Sequence, residues 1–188
     1  MFLFIDVETG GLNAETDALL ELHAAVYDST GKKLSEFSET FAPDGKLGCK
    51  ALQINGMLSR LGEGNNFEKT KRFIAWSLDQ AKLKPTIVGQ NVKFDLKFIE
   101  AHLARQGFSG WSDLFGYHTR DTSQMAQILK DMGIYKPERV NLNALCEFFG
   151  VTNQAAHSAQ GDVDATAQVF FKMQSVFAAA GQAYNNAR

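Results

Sequence analysis

The N-terminal part of the chain carries the hydrophobic patterns that are typical of strands. Residues 2–7 form a short apolar run with an acid near its end, which predicts a buried strand. Residues 19–28 and 32–42 alternate between apolar and polar positions and are joined by Asp28-Ser-Thr-Gly31-Lys32. Because Gly31 can supply the turn, this pair predicts a hairpin. The sheet is therefore expected to begin antiparallel.

From residue 66 onward the apolar spacing becomes helical. Apolar side chains between Phe67 and Ala81 predict a helix over 66–82, and Thr86–Gly89 after Pro85 reads as a short strand. A further helix is expected over 95–105, with Gly107 ending it. The remaining predicted helices lie near 122–132, 141–149 and 162–178. Residues 179–188 are expected to fray.

This order of elements predicts an α/β fold with a mixed sheet. The 188 residues fit one domain over 1–178, and 45% hydrophobic with 21% charged residues is ordinary for a globular protein. The apolar runs are too short to cross a membrane, and no basic segment precedes the first one. Two cysteines with no framework spacing favour a reducing cytoplasm.

The charge balance permits a polyanionic partner without indicating one. The formal net charge is −2, whereas nucleic-acid binders usually display a basic face. If four acids are metal ligands, however, the remaining charge becomes slightly positive. Short-footprint binding is then compatible with the composition.

The first candidate site is Asp6-Val-Glu8-Thr9-Gly10-Gly-Leu12 at the end of the first strand. Side chains two positions apart project from the same face of a strand. Two adjacent carboxylates raise each other's pKa unless a cation lies between them, and hard oxygen ligands suit Mg²⁺ or Mn²⁺. A solvated strand end followed by a glycine turn explains the same residues equally well.

Two more acidic segments follow, and each has a structural explanation. Asp95 comes after a strand and a polar turn, where an aspartate often caps a helix. His157 and Asp162 lie at the start of a helix, where an acid complements the helix dipole. Taken singly, these structural explanations are the better ones.

Taken together, the three segments resemble the DEDD superfamily of 3′→5′ exonucleases, in its histidine-containing branch, which includes the DnaQ-like proofreading subunit of bacterial DNA polymerase III. The order is Asp-x-Glu, then Asp about 90 residues later, then His with Asp five residues beyond. The resemblance covers roughly residues 2–178. It also includes Leu52-Gln-Ile-Asn-Gly56 and Arg120-Asp121-Thr122, where Asp121 is taken as structural.

The resemblance implies a ribonuclease-H-like fold: a mixed five-stranded sheet flanked by helices. It implies two divalent cations, Mg²⁺ or Mn²⁺, held by Asp6, Glu8, Asp95 and Asp162. His157 would take the proton from the attacking water, since histidine titrates near neutral pH. The terminal nucleotide would meet Thr9, Gly10, Leu12, Asn91 and Phe94, although core packing is a slightly better explanation of Phe94.

The sequence departs from the family pattern at two positions. Gln90 stands where many members have histidine, which is expected to alter a loop hydrogen bond and leave the ligands intact. Asp164 adds an acid two residues past Asp162. Because two helical positions differ by roughly 200°, only one of them can face the site, and Asp164 is expected to point elsewhere.

The resemblance leaves several alternatives open. The expected activity is removal of nucleoside 5′-monophosphates from single-stranded 3′ ends, with DNA favoured and an exoribonuclease for short RNA as the alternative. A silent nucleic-acid-binding module and an endonuclease of similar fold are more remote. Proofreading would need a polymerase partner that the sequence does not name, and monomer and homodimer remain undecided.

Overall fold

A computed structural model describes residues 1–186 and contains one five-stranded mixed sheet. The strand order is β3-β2-β1-β4-β5. β1 pairs antiparallel with β2 and parallel with β4, so β1 lies at the centre of the sheet. The strands are β1 (Phe2–Thr9), β2 (Leu19–Tyr27), β3 (Lys33–Thr40), β4 (Thr86–Gly89) and β5 (Thr119–Asp121).

Six α-helices accompany this sheet within residues 1–186. They are α1 (Cys49–Asn55), α2 (Asn66–Ala81), α3 (Val92–Arg105), α4 (Thr122–Asp131), α5 (Leu142–Phe149) and α6 (Ala159–Asn186). Short 3₁₀ turns occupy Met57–Ser59 and Ser112–Phe115. The predicted α/β class, the initial hairpin and the mixed five-stranded sheet are confirmed.

Two element boundaries differ from the sequence expectation. α3 begins at Val92 rather than at 95, because the Asp121 carboxylate accepts hydrogen bonds from the backbone N–H groups of Asn91 and Val92. α6 continues to Asn186 where fraying was expected from 179. This stretch is rich in alanine, the strongest helix former. The last two residues of the expected frayed tail lie outside the described part of the chain.

The two faces of the sheet bury different apolar clusters. Ile5 and Ala24 pack against α2 and α3, whereas Phe4 and Ala25 pack against α6 through Phe170. Side chains alternate along a strand, so Asp6 and Glu8 follow Phe4 onto the α6 face. This packing brings the N-terminus of α6 to the carboxyl end of β1.

Two further expectations concern membranes and disulfides. Within residues 1–186, no helix is both long and apolar enough to cross a membrane. Cys49 and Cys146 are free thiols, the first exposed and the second buried.

Candidate active site

Three carboxylates meet where β1 ends and α6 begins. Asp6 and Glu8 come from β1, and Asp162 comes from the first turn of α6. One oxygen from each of the three lies within 4.8 Å of the other two. Two segments that are far apart in the chain therefore bring three acids into one oxygen-rich cluster, and that these acids hold cations stays a prediction.

Asp95 reaches the same region from the other face of the sheet. β4 pairs with β1 only as far as Phe4, which leaves the backbone of Val7 without a β4 partner. Asp95 Oδ1 accepts a hydrogen bond from Val7 N at 3.2 Å, so this carboxylate satisfies a backbone N–H group that β4 does not reach. Its second oxygen, Oδ2, is buried and has no hydrogen-bond partner within the described chain. That orphaned oxygen is suited to a cation ligand.

The acids strongly disfavour one another's charged forms. Burial raises the pKa of Asp6 well above its ordinary value, and the charges of Asp95, Asp162 and Glu8 raise it further. Burial and the charge of Asp162 raise the pKa of Glu8 to about 7. Burial also raises the pKa values of Asp95 and Asp162. Such mutual repulsion is the condition that a bound divalent cation relieves.

His157 lies on an exposed loop immediately before α6. Its backbone is left-handed, with φ of 65°, which is uncommon for a residue other than glycine. The imidazole is close enough to Asp162 that its charge lowers the pKa of that carboxyl. The predicted histidine therefore lies beside the carboxylate cluster and faces solvent.

Glu21 is a fifth carboxylate that the sequence analysis did not identify. It lies on β2 directly opposite Glu8 and is buried. Its charge contributes to the raised pKa values of Asp6, Glu8 and Asp162. The strand register could have found it, because the antiparallel pairing of β1 with β2 places Glu21 opposite Glu8.

Two asparagines hold the site together: Asn55 belongs to the Leu52–Gly56 element noted in the sequence, whereas Asn153 was not identified there. Asn153 Nδ2 donates to Asp162 Oδ1 at 2.5 Å. Asn55 Nδ2 donates to the backbone oxygen of Thr9 at 3.0 Å and lowers the pKa of Glu8 through its side chain. No local pattern predicts the partner of Asn153.

A groove of about 710 Å³ lies between the β1–β2 loop and α3. Leu12, Asn91 and Phe94 line it, and Leu12 is 88% exposed. Phe94 also packs against the core through Phe98, with ring centroids 4.8 Å apart. Phe94 therefore packs on the core while lining the groove, and its contact with a terminal nucleotide stays a prediction.

Thr9 and Gly10, which the resemblance also assigned to the terminal nucleotide, are buried and are not among the residues that line this groove. The Gly10 backbone donates to Ala18 O at 2.8 Å and accepts from Gly48 N at 2.7 Å. A Cβ at Gly10 would come within 2.3 Å of the Lys46 carbonyl oxygen. The sequence suggested that glycine allows a ligand close to the backbone here; the close approach in the structure is made by the chain itself.

The two departures from the family pattern have structural partners. Asp164 points away from the cluster, as expected, and its Oδ1 accepts from the Tyr27 hydroxyl at 2.9 Å and pairs with Lys33 at 2.8 Å. Gln90 donates to Val140 O at 2.8 Å and accepts from Thr122 Oγ1 at 2.6 Å. Gln90 thus joins the end of β4 to α4 and to the loop before α5.

The sequence profile of an exonuclease family, RNase_T, matches residues 3–170. The chain belongs to this exonuclease family. The match confirms the predicted membership of the DEDD exonucleases, while assignment to the histidine-containing branch stays a prediction.

Curated relatives of this exonuclease domain are DNA polymerase III proteins. The chain is 29% identical over 178 residues to a DNA polymerase III subunit epsilon of Treponema pallidum, with 92% of the chain and 75% of the relative covered. It is 25% identical over 175 residues to a PolC-type DNA polymerase III of Latilactobacillus sakei. That match covers 92% of the chain but only 11% of the far longer polymerase.

Solved structures of exonuclease I share the fold of this exonuclease domain. E. coli exonuclease I in complex with a dT13 oligonucleotide superposes with a TM-score of 0.70 at 23% identity, over 94% of the chain and 42% of that structure. A moderately thermophilic exonuclease I from Methylocaldum szegediense gives 0.72 at 22% identity, over 93% and 40%. These likenesses confirm the ribonuclease-H-like fold.

Proposed function

We propose that this exonuclease domain hydrolyses the terminal phosphodiester bond at the 3′ end of single-stranded DNA and releases nucleoside 5′-monophosphates. The observation that carries the proposal is the meeting of Asp6, Glu8 and Asp162 oxygens within 4.8 Å. Membership of the exonuclease family gives this cluster a reaction class. The curated relatives are DNA polymerase proteins, which favours DNA as substrate.

The carboxylates fit a pair of divalent cations. All of the donors are hard oxygens, and Asp95 Oδ2 is buried without a partner in the described chain. We assign Asp6, Glu8, Asp95 and Asp162 to hold Mg²⁺ or Mn²⁺, which prefer such ligands. When bound, two such cations activate the attacking water and offset charge on the leaving oxygen.

The protein's own groups position the substrate. Leu12 projects into solvent at the groove and offers an apolar surface for the terminal base. Asn91 and Phe94 form the opposite wall, and Lys93 and Lys97 on the same wall offer charge to phosphates. Thr9 and Gly10 shape the loop that carries Leu12.

His157 is the proposed general base. It lies beside Asp162 and is exposed, so it can accept a proton from the attacking water and pass that proton to solvent. The imidazole remains free for this role because the hydrogen bond described for His157 to another element uses its backbone oxygen.

The test is a time course with 5′-labelled oligonucleotides of one sequence as single-stranded DNA and as RNA. We expect a ladder that shortens from the 3′ end, appears with Mg²⁺ or Mn²⁺, stops with chelator and is faster for DNA. Chromatography should identify the small product as nucleoside 5′-monophosphate. Faster loss of RNA would favour the exoribonuclease, internal cuts would favour an endonuclease, and binding without cleavage would leave only a nucleic-acid-binding module.

The partner and assembly proposals extend this activity. The similarity to polymerase III proteins supports a polymerase partner, for which a proofreading exonuclease would trim mispaired 3′ ends in the cytoplasm. Size-exclusion chromatography with light scattering measures self-association of the purified chain. The same measurement on a mixture with a replicative polymerase of the same source measures polymerase binding. A shared elution peak would support the partner, and separate elution at micromolar concentration would oppose it.

A further inference from the structure

One arginine ties the histidine loop to the sheet and the 3₁₀ turn. Arg60 follows the 3₁₀ turn Met57–Ser59, and its guanidinium makes three contacts. Nη1 lies 3.0 Å from Glu21 Oε2, while Nη2 donates to Asn55 O at 2.8 Å and to His157 O at 3.0 Å. The arginine therefore connects β2, the end of α1 and the loop that carries His157.

Apart from its bond to Arg60, the His157 loop forms few hydrogen bonds to distant positions of the described chain. Within the described chain, the other hydrogen bonds of residues 151–158 reach positions no more than nine residues away, such as Val151 N to Cys146 O and Asn153 to Asp162. Arg60 lies 97 positions from His157 and belongs to a different layer of the fold. The left-handed backbone of His157 also needs an external partner to hold it.

We propose that Arg60 is the positioning residue that holds His157 beside the carboxylate cluster, with Glu21 fixing the orientation of the guanidinium. This inference rests on the proposed function, in which His157 is the base. Arg60 does not touch the reacting atoms. It acts by holding the backbone of His157, so that the imidazole stays near the attacking water.

The chemistry of the guanidinium explains why arginine is suited to this position. Its planar, multiply donating group can bind a carboxylate and carbonyl oxygens at the same time, whereas the ammonium of lysine is a point charge on a flexible stem. The same contacts assign Glu21, because its Oε2 pairs with Arg60 and lies 3.4 Å from Ala159 N. Glu21 is therefore a support for Arg60 and not a fifth cation ligand.

The first experiment compares Arg60→Lys and Arg60→Ala with a matched control, Arg72→Ala. Arg72 pairs with Glu39 of β3, which lies opposite Leu22 and not opposite Glu21, and the Arg72 side chain is 58% exposed. We expect both Arg60 variants to lower kcat by about 10²-fold, the usual cost of a misplaced catalytic group. KM for the oligonucleotide and Mn²⁺ affinity, measured by calorimetry without DNA, should change less than about twofold. The control should match the parent protein.

The second experiment is a double-mutant cycle with His157→Ala. If Arg60 acts through His157, the double variant should be no slower than His157→Ala alone, and the pH–rate profiles of Arg60→Ala and His157→Ala should have the same shape. Guanidinium ion should partly restore Arg60→Ala but not the double variant. Three results would each overturn the proposal. They are a double variant whose loss of kcat is the product of the two single losses, a normal kcat in Arg60→Lys, and a loss of kcat that weaker Mn²⁺ binding explains.

The two proposals fail in different ways. A parent protein that releases no nucleotide with either cation rejects the proposed function. A parent protein that is active and depends on His157, combined with unchanged Arg60 variants, rejects only the positioning role. Thermal melts accompany every variant, and if Arg60→Ala does not fold, Arg60→Lys carries the comparison.

Discussion

Glu8 on β1 lies directly opposite Glu21 on β2 in the antiparallel register. Like charges in this arrangement destabilise a sheet. The pairing is tolerated because Arg60 lies 3.0 Å from Glu21, and because burial raises the pKa of Glu8 to about 7, which favours its neutral form. The carboxyl end of β1 is thus electrostatically unfavourable without cations, and its stability should depend on pH and on metal.

The metal-free protein should lose stability as pH rises toward neutrality. Glu8 keeps its proton in the folded state up to about pH 7, whereas its ordinary value is 4.5. Between these values the folded state binds more protons than the unfolded state, so the free energy of unfolding falls with rising pH. Melting in chelator should show this fall, and saturating Mg²⁺ should reduce or reverse it. A flat profile in chelator would contradict the electrostatic description.

Neutralising an acid in the cluster should raise the stability of the metal-free protein and abolish its activity. Asp6→Asn and Asp162→Asn each remove one of the repelling charges within 4.8 Å. We expect the metal-free protein to gain on the order of 1–3 kcal/mol of stability, measured by denaturant titration in chelator. Cleavage should be abolished in both variants. Near-normal turnover in either would reject its assignment as a metal ligand.

Removing the imidazole should slow chemistry without weakening metal binding. His157→Ala should lower turnover by roughly 10²–10⁴-fold, the usual span for a lost general base. The rise of rate with pH that reports the base should disappear from the pH–rate profile. His118→Ala is the matched control, because His118 is also exposed and its ring packs at an angle against Tyr117. An unchanged profile in His157→Ala would exclude the role.

Asp44, a partly buried carboxylate away from the cluster, should have the opposite pH dependence. Asp44 lies 3.0 Å from His102 Nδ1 and 3.2 Å from Arg105 Nε, and these partners lower its pKa to about 2 despite burial. Its contribution is present above its ordinary value of 3.8 and is lost as pH falls toward 2. Asp44→Asn should cost about 1–3 kcal/mol in urea denaturation near neutral pH.

Asp79→Asn is the control for that comparison, because its ion pair with Lys82 is exposed. Exposed pairs contribute little, so the control should denature at the same urea concentration as the parent protein. Equal midpoints for both variants would contradict the stabilising role of Asp44.

Two glycines should respond oppositely to alanine. A Cβ at Gly10 would meet the Lys46 carbonyl at 2.3 Å, so Gly10→Ala must displace backbone beside the cluster and should lower both the melting temperature and kcat. At Gly181, inside α6, nothing lies within 4 Å, and alanine should stabilise the helix by about 0.5–1 kcal/mol. Calorimetric melts distinguish the two, and a tolerated Gly10→Ala would contradict the described packing.

Local patterns predicted those parts of the fold whose signals are local. The hairpin followed from alternation and from Gly31, and α2 followed from its apolar stripe. The start of α3 was misplaced because its cap is Asp121, some 30 residues away, and not Asp95. Capping from another element leaves no trace in the helix's own sequence.

The candidate site could be predicted only from its three acidic segments taken together. Asp6 and Glu8 share a face by strand geometry alone, but their approach to Asp162 depends on how α6 packs against Phe4. It was the resemblance to the exonucleases that indicated the approach of Asp162 to Asp6 and Glu8. Arg60 and Asn153 were missed because their partners are set by three-dimensional proximity, and no short motif records it.

The carboxylate of Asp121 caps two helices at once. It accepts from Asn91 and Val92 at the start of α3 and from Ser123 at the start of α4. Asp95 lies in the first turn of α3, so the position of a proposed cation ligand depends on a side chain that caps the helix and is not one of the clustered carboxylates. A substitution of Asp121 would tilt α3 and displace Asp95, which would lower activity. A screen that measures activity alone would therefore misidentify Asp121, whose role is structural, as a metal ligand.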